Sequence, residues 1–215
     1  MASPLTTVVH LLRHGEVHNP SGVLYGRLPG YRLSETGGRM AELVADHLAA
    51  HDVTRVVSSP LERAVATAQP IADRHGLGIH VDPRVVEAGN SFEGQRVSSP
   101  KDLLREPGRW AMLANPFRPG WGEAYDRIAA RMQAAVEDAR VEAAGHEAVI
   151  VSHQLPIWTL RCHLEGRRLW HDPRKRECRL ASLTSLYYVG DDLDQIVYSE
   201  PAESLYGGSS GGVGA

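Results

Sequence analysis

Short runs of β-branched and apolar residues alternate with stretches of helical periodicity, and this alternation constrains the fold of the 215-residue chain more than any other feature. The runs are "TTVVHLL" (6–12), "TRVVSS" (54–59), "GIHVD" (78–82) and "HEAVIVSH" (146–153). Between them, "LSETGGRMAELVADHLAA" predicts a helix capped by Ser34 or Thr36, with Met40, Leu43, Val44, His47 and Leu48 on its apolar face. "PLERAVATAQPIADRHG" predicts a second helix with Pro60 at its first turn, a kink at Pro70 and a stop at Gly76. "GEAYDRIAARMQAAVEDARVEAAG" predicts a third, ended by Gly145, and a further helix follows residue 153. "SLTSLYYVG" and "DQIVYSE" predict a closing hairpin. Strands alternating with helices imply an α/β domain with a mainly parallel sheet, whose ligands bind beyond the carboxyl ends of the strands.

That rule locates the chemistry. Arg13 and His14 follow the first strand, Ser58 and Arg63 the second, and Ser152 and His153 the strand "EAVIV". Three separate segments thus deliver polar groups to one sheet edge. His14 and His18 have the spacing of the zinc motif H-E-x-x-H. The preceding strand and Gly15 oppose a helix there, however, and the glutamate stands two residues after His14 rather than one. Arg13 also repels a divalent cation. The combination suits an anion instead, because a guanidinium fork makes paired, charge-assisted bonds to phosphate at any working pH. The same positive field disfavours a proton on His14 and leaves its lone pair free to attack phosphorus.

"LLRHGE", "SSPLERAVATA", an acid in "VVEAGNSFEG" and "IVSHQLPI", in this order, resemble the histidine phosphatase superfamily across roughly residues 6–160. The resemblance implies a three-layer α/β/α sandwich around a mostly parallel central sheet, as in phosphoglycerate mutases. It implies that His14 is the nucleophile, that Arg13 and Arg63 bind the phosphoryl oxygens and that His153 donates to them. Glu87 would protonate the leaving group, with Glu93 as the competing acid, and Asn19 would be a further phosphate ligand. The sequence departs from the family pattern at Gln154, where glycine is usual, at Ala88, where many relatives have arginine, and at Ala124 after Glu123.

The function expected is hydrolysis of a small phosphate monoester through a phosphohistidine, without metal or other cofactor. The alternatives are mutase-type phosphoryl transfer and a non-catalytic phospho-ligand or protein-binding module. Glu87 and His153 are 153 − 87 = 66 positions apart, which leaves little room for the long insertion of the mutases. A net charge of −3 argues against a general nucleic-acid binder. No stretch is long and apolar enough to span a bilayer, and no signal peptide is legible, so a cytoplasmic protein is expected, with a homo-oligomer left open. Cys162 and Cys178 are read as reduced thiols, one a buried small hydrophobe and the other on the surface. The basic run "RRLWHDPRKRECR" (167–179) is read as solvated surface or an oligomer contact. Residues 1–200 are expected to form one domain, with 88–122 as a substrate-facing cap and 201–215 as a flexible tail. Within the cap, Trp110, Phe117 and Trp121 could stack on substrate, with core packing as the default role.

Overall fold

The structure, a computed structural model, describes residues 5–90, 93–95 and 122–208. Most of the expected cap, including its three aromatic residues, and residues 209–215 of the expected tail lie outside the described residues. Six strands, β1 (Thr6–Arg13), β2 (Val53–Ser58), β3 (Ile79–Val81), β4 (Glu147–Ser152), β5 (Leu183–Val189) and β6 (Asp192–Ser199), form one sheet in the order β3-β2-β4-β1-β5-β6. The β3–β2, β2–β4 and β4–β1 pairs are parallel, whereas β5 is antiparallel to both β1 and β6. Five strands therefore point one way, and β5, reached by the closing hairpin, alone reverses.

Helices α1 (Glu35–Leu48) and α2 (Glu62–His75) cover one face of this sheet, and α3 (Tyr125–Glu142) and α4 (Gln154–Leu164) cover the other. Strand β4 explains the layering. Ala148 and Ile150 pack toward α3 and α4, Val149 and Val151 toward α1 and α2, and all four are fully buried. A strand buried on both faces reads as a continuous apolar run, which is what "AVIV" is. Ser34 caps α1 by accepting from the Gly37 amide, and Gly76 ends α2 in the left-handed conformation at φ 64°. Pro70 lies within α2, which continues through it.

Two expectations are corrected here. The chain after 200 does not fray at once. Glu203–Gly208 form a 3-10 turn, Ala202 is buried, and Leu205 and Tyr206 pack against the α1/α2 side of the core. The Tyr206 hydroxyl donates to the Leu180 carbonyl, so two apolar side chains and one hydrogen bond order a segment whose composition suggested none. Both cysteines are buried, and burial pushes the Cys178 thiol up to about 11, so it is no surface thiol.

Candidate active site

Backbone pairing brings three strand ends together. The His14 amide donates to the Ser152 carbonyl (3.1 Å) and the Ser59 amide to the Val151 carbonyl (2.9 Å), extending the β1–β4–β2 ladder one residue into the site. The loop after His14 then crosses the N-terminus of α1 so closely that a Cβ on Gly15 would meet the Gly37 carbonyl oxygen at 2.5 Å. The Gly15 amide donates to Thr67 Oγ1 on α2 (3.1 Å). Glycine at 15 is thus required by the approach of two backbones.

This framework sets the His14 ring. Its Nδ1 bonds the Gly15 carbonyl oxygen at 2.8 Å, so Nδ1 carries the proton and Nε2 presents a lone pair. His14 is fully buried, and among the described residues its Nε2 has no hydrogen-bond partner. Burial, then the charges of Arg63 and Arg13, holds the ring well below the usual histidine range despite the carbonyl bond. A neutral imidazole with one unshared lone pair beside two guanidiniums is the arrangement a phosphorus nucleophile requires.

Each cation has its own anchor. Arg13 Nη1 donates to the Cys178 carbonyl (2.8 Å), and Arg63 Nη2 donates to the Gly26 carbonyl (2.6 Å) beneath the Tyr25 ring, 4.8 Å from its centroid. The Nε atoms of both arginines are buried without a partner among the described residues. The His14 and His153 rings stand 5.1 Å apart. His153 Nε2 shares a 2.8 Å hydrogen bond with Ser59 Oγ, while its Nδ1 lies 3.4 Å from Arg63 Nη2. Burial, followed by the fields of His14, Arg63 and Arg13, holds His153 well below its usual pKa as well.

Glu87 is 3 % exposed. Its Oε1 accepts from the Ala88 amide (2.8 Å), and its Oε2 has no partner among the described residues. Burial raises its pKa against the opposing pull of that amide and of Arg63, Arg13 and Arg176. A carboxyl that resists ionisation is fit to give up a proton. Glu93 stands differently: its Oε1 accepts from the Arg27 amide (3.0 Å) and packs on Gly26. Asn19 is also used locally, its amide donating to and accepting from Val23, so it closes the 19–23 turn rather than pointing free as a phosphate ligand. Glu16 accepts from the Ser34 hydroxyl and orients the loop, and His18 is exposed.

Several residues of the site had no signal in sequence, or one that did not disclose their partners. Arg27 donates to the Glu87 carbonyl (2.6 Å) and pairs with Glu123, which Arg131 also holds, so these three frame the acid. Ser59 anchors His153. Arg176 departs from the solvated reading of its basic run: it donates to His171 Nε2 (2.8 Å) and to Gln154 Oε1 (3.3 Å). Gln154 in turn donates to the Cys178 carbonyl that anchors Arg13. An amide two bonds from Arg13 could have been suspected only from Gln154 standing where glycine is usual.

Comparison with known proteins agrees with this geometry. Residues 9–199 match the Histidine phosphatase superfamily (branch 1). The uncharacterized protein Rv0525 of Mycobacterium tuberculosis (strain ATCC 25618 / H37Rv) is 59 % identical over 93 % of this chain and 98 % of its own length. The probable phosphoglycerate mutase GpmB of Photorhabdus laumondii subsp. laumondii is 31 % identical over 84 % of each chain. Among solved structures, the mycobacterial glucosyl-3-phosphoglycerate phosphatase Rv2419c superposes with a TM-score of 0.70 at 27 % identity, covering 90 % of this chain and 96 % of the other. A phosphoglycerate mutase from Bacillus anthracis shares the fold at 20 % identity, with a TM-score of 0.70 over 94 % and 96 % of the two chains. With its motifs, its strand order and its paired site histidines in agreement, the chain belongs to the histidine phosphatase superfamily.

Proposed function

We propose that this protein is a metal-independent phosphatase that hydrolyses small phosphate monoesters through a phosphohistidine at His14. The observation that carries the reading is the buried, unshared Nε2 of His14, held neutral between Arg13 and Arg63. Nε2 attacks phosphorus, the P–O ester bond breaks, and the departing oxygen takes the proton of the Glu87 carboxyl. Water then attacks the phosphohistidine, the resulting Glu87 carboxylate accepts a proton from that water, and the N–P bond breaks to release phosphate. The guanidiniums supply the positive charge for the transferring oxygens, where positioning and electrostatics dominate.

Ser59 has a part in this cycle. Arg63 Nη2 can only donate, so opposite it His153 Nδ1 presents a lone pair and Nε2–H donates to Ser59 Oγ. A phosphoryl oxygen between Nη2 and Nδ1 favours the opposite tautomer, in which the Ser59 hydroxyl turns to donate and Nδ1–H bonds the oxygen. A hydroxyl serves both states because it both donates and accepts.

Mutase chemistry is the second reading, favoured by the relatives named as probable phosphoglycerate mutases. The short interval between Glu87 and His153 favours hydrolysis, since retaining a phosphoryl group for return needs a pocket closed to water. The test measures phosphate release and phosphoglycerate interconversion side by side, with a base quench to trap acid-labile phosphohistidine. Hydrolysis in excess, with a label that H14A abolishes, is expected. Interconversion in excess would establish the mutase, and undiminished turnover by H14A would overturn both readings.

A further inference from the structure

A second cluster of reactive side chains lies on β1 away from His14. His10 Nε2 and His51 Nδ1 both reach Glu147 Oε2, at 2.6 and 2.8 Å, and the three atoms lie within 4.8 Å of one another. His10 is 2 % exposed, on the α1/α2 face of β1. Glu147 opens β4, and His51 stands in the short connection from α1 to β2. The backbone fixes both: the Glu147 amide donates to the Asp52 carbonyl (3.0 Å) and the His51 amide to the Leu48 carbonyl (2.9 Å). Four residues at about 3.3 Å each separate His10 from His14 by about 13 Å, toward the opposite end of the strand.

We propose that His10 Nε2, His51 Nδ1 and Glu147 Oε2 form a binding site for a Zn2+-class divalent cation, separate from the phosphate site. Two imidazoles and one carboxylate select zinc or its neighbours over magnesium or calcium, which take oxygen donors. Tetrahedral zinc at about 2.0–2.2 Å spaces its donors about 3.3 Å apart. The two nitrogen–oxygen contacts, at 2.6 and 2.8 Å, therefore need to open by about 0.5–0.7 Å, while all three atoms already lie within 4.8 Å of one another, and His51 is partly exposed and can yield. Each ring directs an N–H at Glu147, and as the cation takes that nitrogen's lone pair the proton moves to the ring's other nitrogen or leaves to solvent. For His10 that other nitrogen is Nδ1, already 2.7 Å from Ser185 Oγ on β5, whose hydroxyl can donate or accept. A hydroxyl behind a ligating histidine fixes its tautomer and orientation, as partners behind metal ligands generally do. Water completes the coordination, and the exposed His47, its ring 5.8 Å from that of His51, is a further imidazole beside the cluster. The cation would clamp β1, β4 and the corner leading into β2, a structural role that leaves phosphoryl transfer to the arginines.

The test titrates chelator-treated, full-length H14A protein with Co2+, followed by its visible spectrum, and with Zn2+ against a competing chelator. The H14A background removes the paired site histidines as a rival ligand set. One equivalent bound, a tetrahedral-type Co2+ spectrum, and at least a tenfold loss of affinity in both H51A and E147Q are expected. Wild-type protein should turn over at the same rate with and without chelator, and should melt higher with Zn2+. Absence of saturable binding, or equal affinity in H51A and E147Q, would overturn the site and leave a hydrogen-bonded clamp only. The Co2+ spectrum of the parent protein decides this even if E147Q fails to fold.

Discussion

Changing Ser59 to alanine tests the site at its least obvious member. Ser59 and His153 are both fully buried, and their 2.8 Å contact is the sole hydrogen bond given to His153 Nε2 among the described residues. Removing the hydroxyl leaves that nitrogen against a methyl group. Leaving a buried polar group unpaired costs about 1–3 kcal/mol. If the whole cost falls on the transition state, in which His153 must hold its Nδ1 proton toward the phosphoryl group, kcat falls by about 5- to 150-fold. KM should change little, because Arg13 and Arg63 keep their anchors at Cys178 and Gly26. The assay is steady-state hydrolysis of an aryl phosphate by wild type, S59A, H153A and the double variant, with melting temperatures to separate folding from function. The serine acts through the histidine, so S59A should cost nothing further once His153 is alanine. An S59A effect of equal size in both backgrounds, or wild-type kcat in S59A, would refute the reasoning.

Replacing Glu87 by glutamine should lower kcat about 10²- to 10⁴-fold for alkyl phosphates and far less for p-nitrophenyl phosphate, whose leaving group needs no proton; equal losses for both would remove Glu87 from the acid role. In the wild type, activity should fall as pH drops through the depressed pKa of His14, which then gains a proton, and as pH rises through the raised pKa of Glu87, which then loses one. The acid limb should therefore lie below the range of an ordinary histidine, and E87Q should lose the alkaline limb. G15A should abolish activity or folding, because its Cβ would lie 2.5 Å from the Gly37 carbonyl oxygen, and a soluble, fully active G15A would contradict that close approach. Truncation after Gly208 should leave the melting temperature unchanged, whereas truncation after Ser199 should lower it by several degrees, since it removes Ala202, Leu205 and the Tyr206 bond to Leu180.

Where the sequence was legible, one local rule sufficed. Ser34 at the start of α1, Gly76 at the end of α2 and the doubly buried "AVIV" of β4 each announce themselves through a cap, a left-handed residue or an unbroken apolar run. The pairing of Arg13, Arg63 and the two histidines followed from strand ends meeting at one edge. What stayed hidden depends on contacts between residues far apart in the chain. Nothing around Ser59 in sequence says that it faces a histidine 94 positions later, and nothing around Arg176 says that it turns back toward Gln154. The C-terminal turn was missed because Gly-rich composition outweighed two apolar residues that find a ready surface. Asn19 was read by family position, although a local turn uses its amide.

The charge balance of the site explains why these parts belong together. Arg13 and Arg63 bring two positive charges into a space where both histidines are held neutral and burial works against ionising Glu87. Such a space is costly to keep without an anion, since buried charge demands partners. The protein meets part of that demand with backbone carbonyls, from Cys178 and Gly26, which orient the guanidiniums without neutralising them. A carboxylate partner would have bound each arginine more firmly and cancelled the field that, after burial, holds the His14 ring below the usual histidine range. On the proposed reaction, carbonyl anchors leave two full charges for a dianionic phosphoryl group, and the same field that would bind it adds to burial in keeping His14 neutral. An R63K variant separates the two effects. Lysine keeps a charge but loses the fork that spans Gly26 and the His153 side of the site, so phosphate affinity and kcat should both fall while the acid limb of the pH profile stays low. If R63K instead moved that limb upward, the fork geometry rather than the charge would be what Arg63 adds to burial in holding His14 neutral.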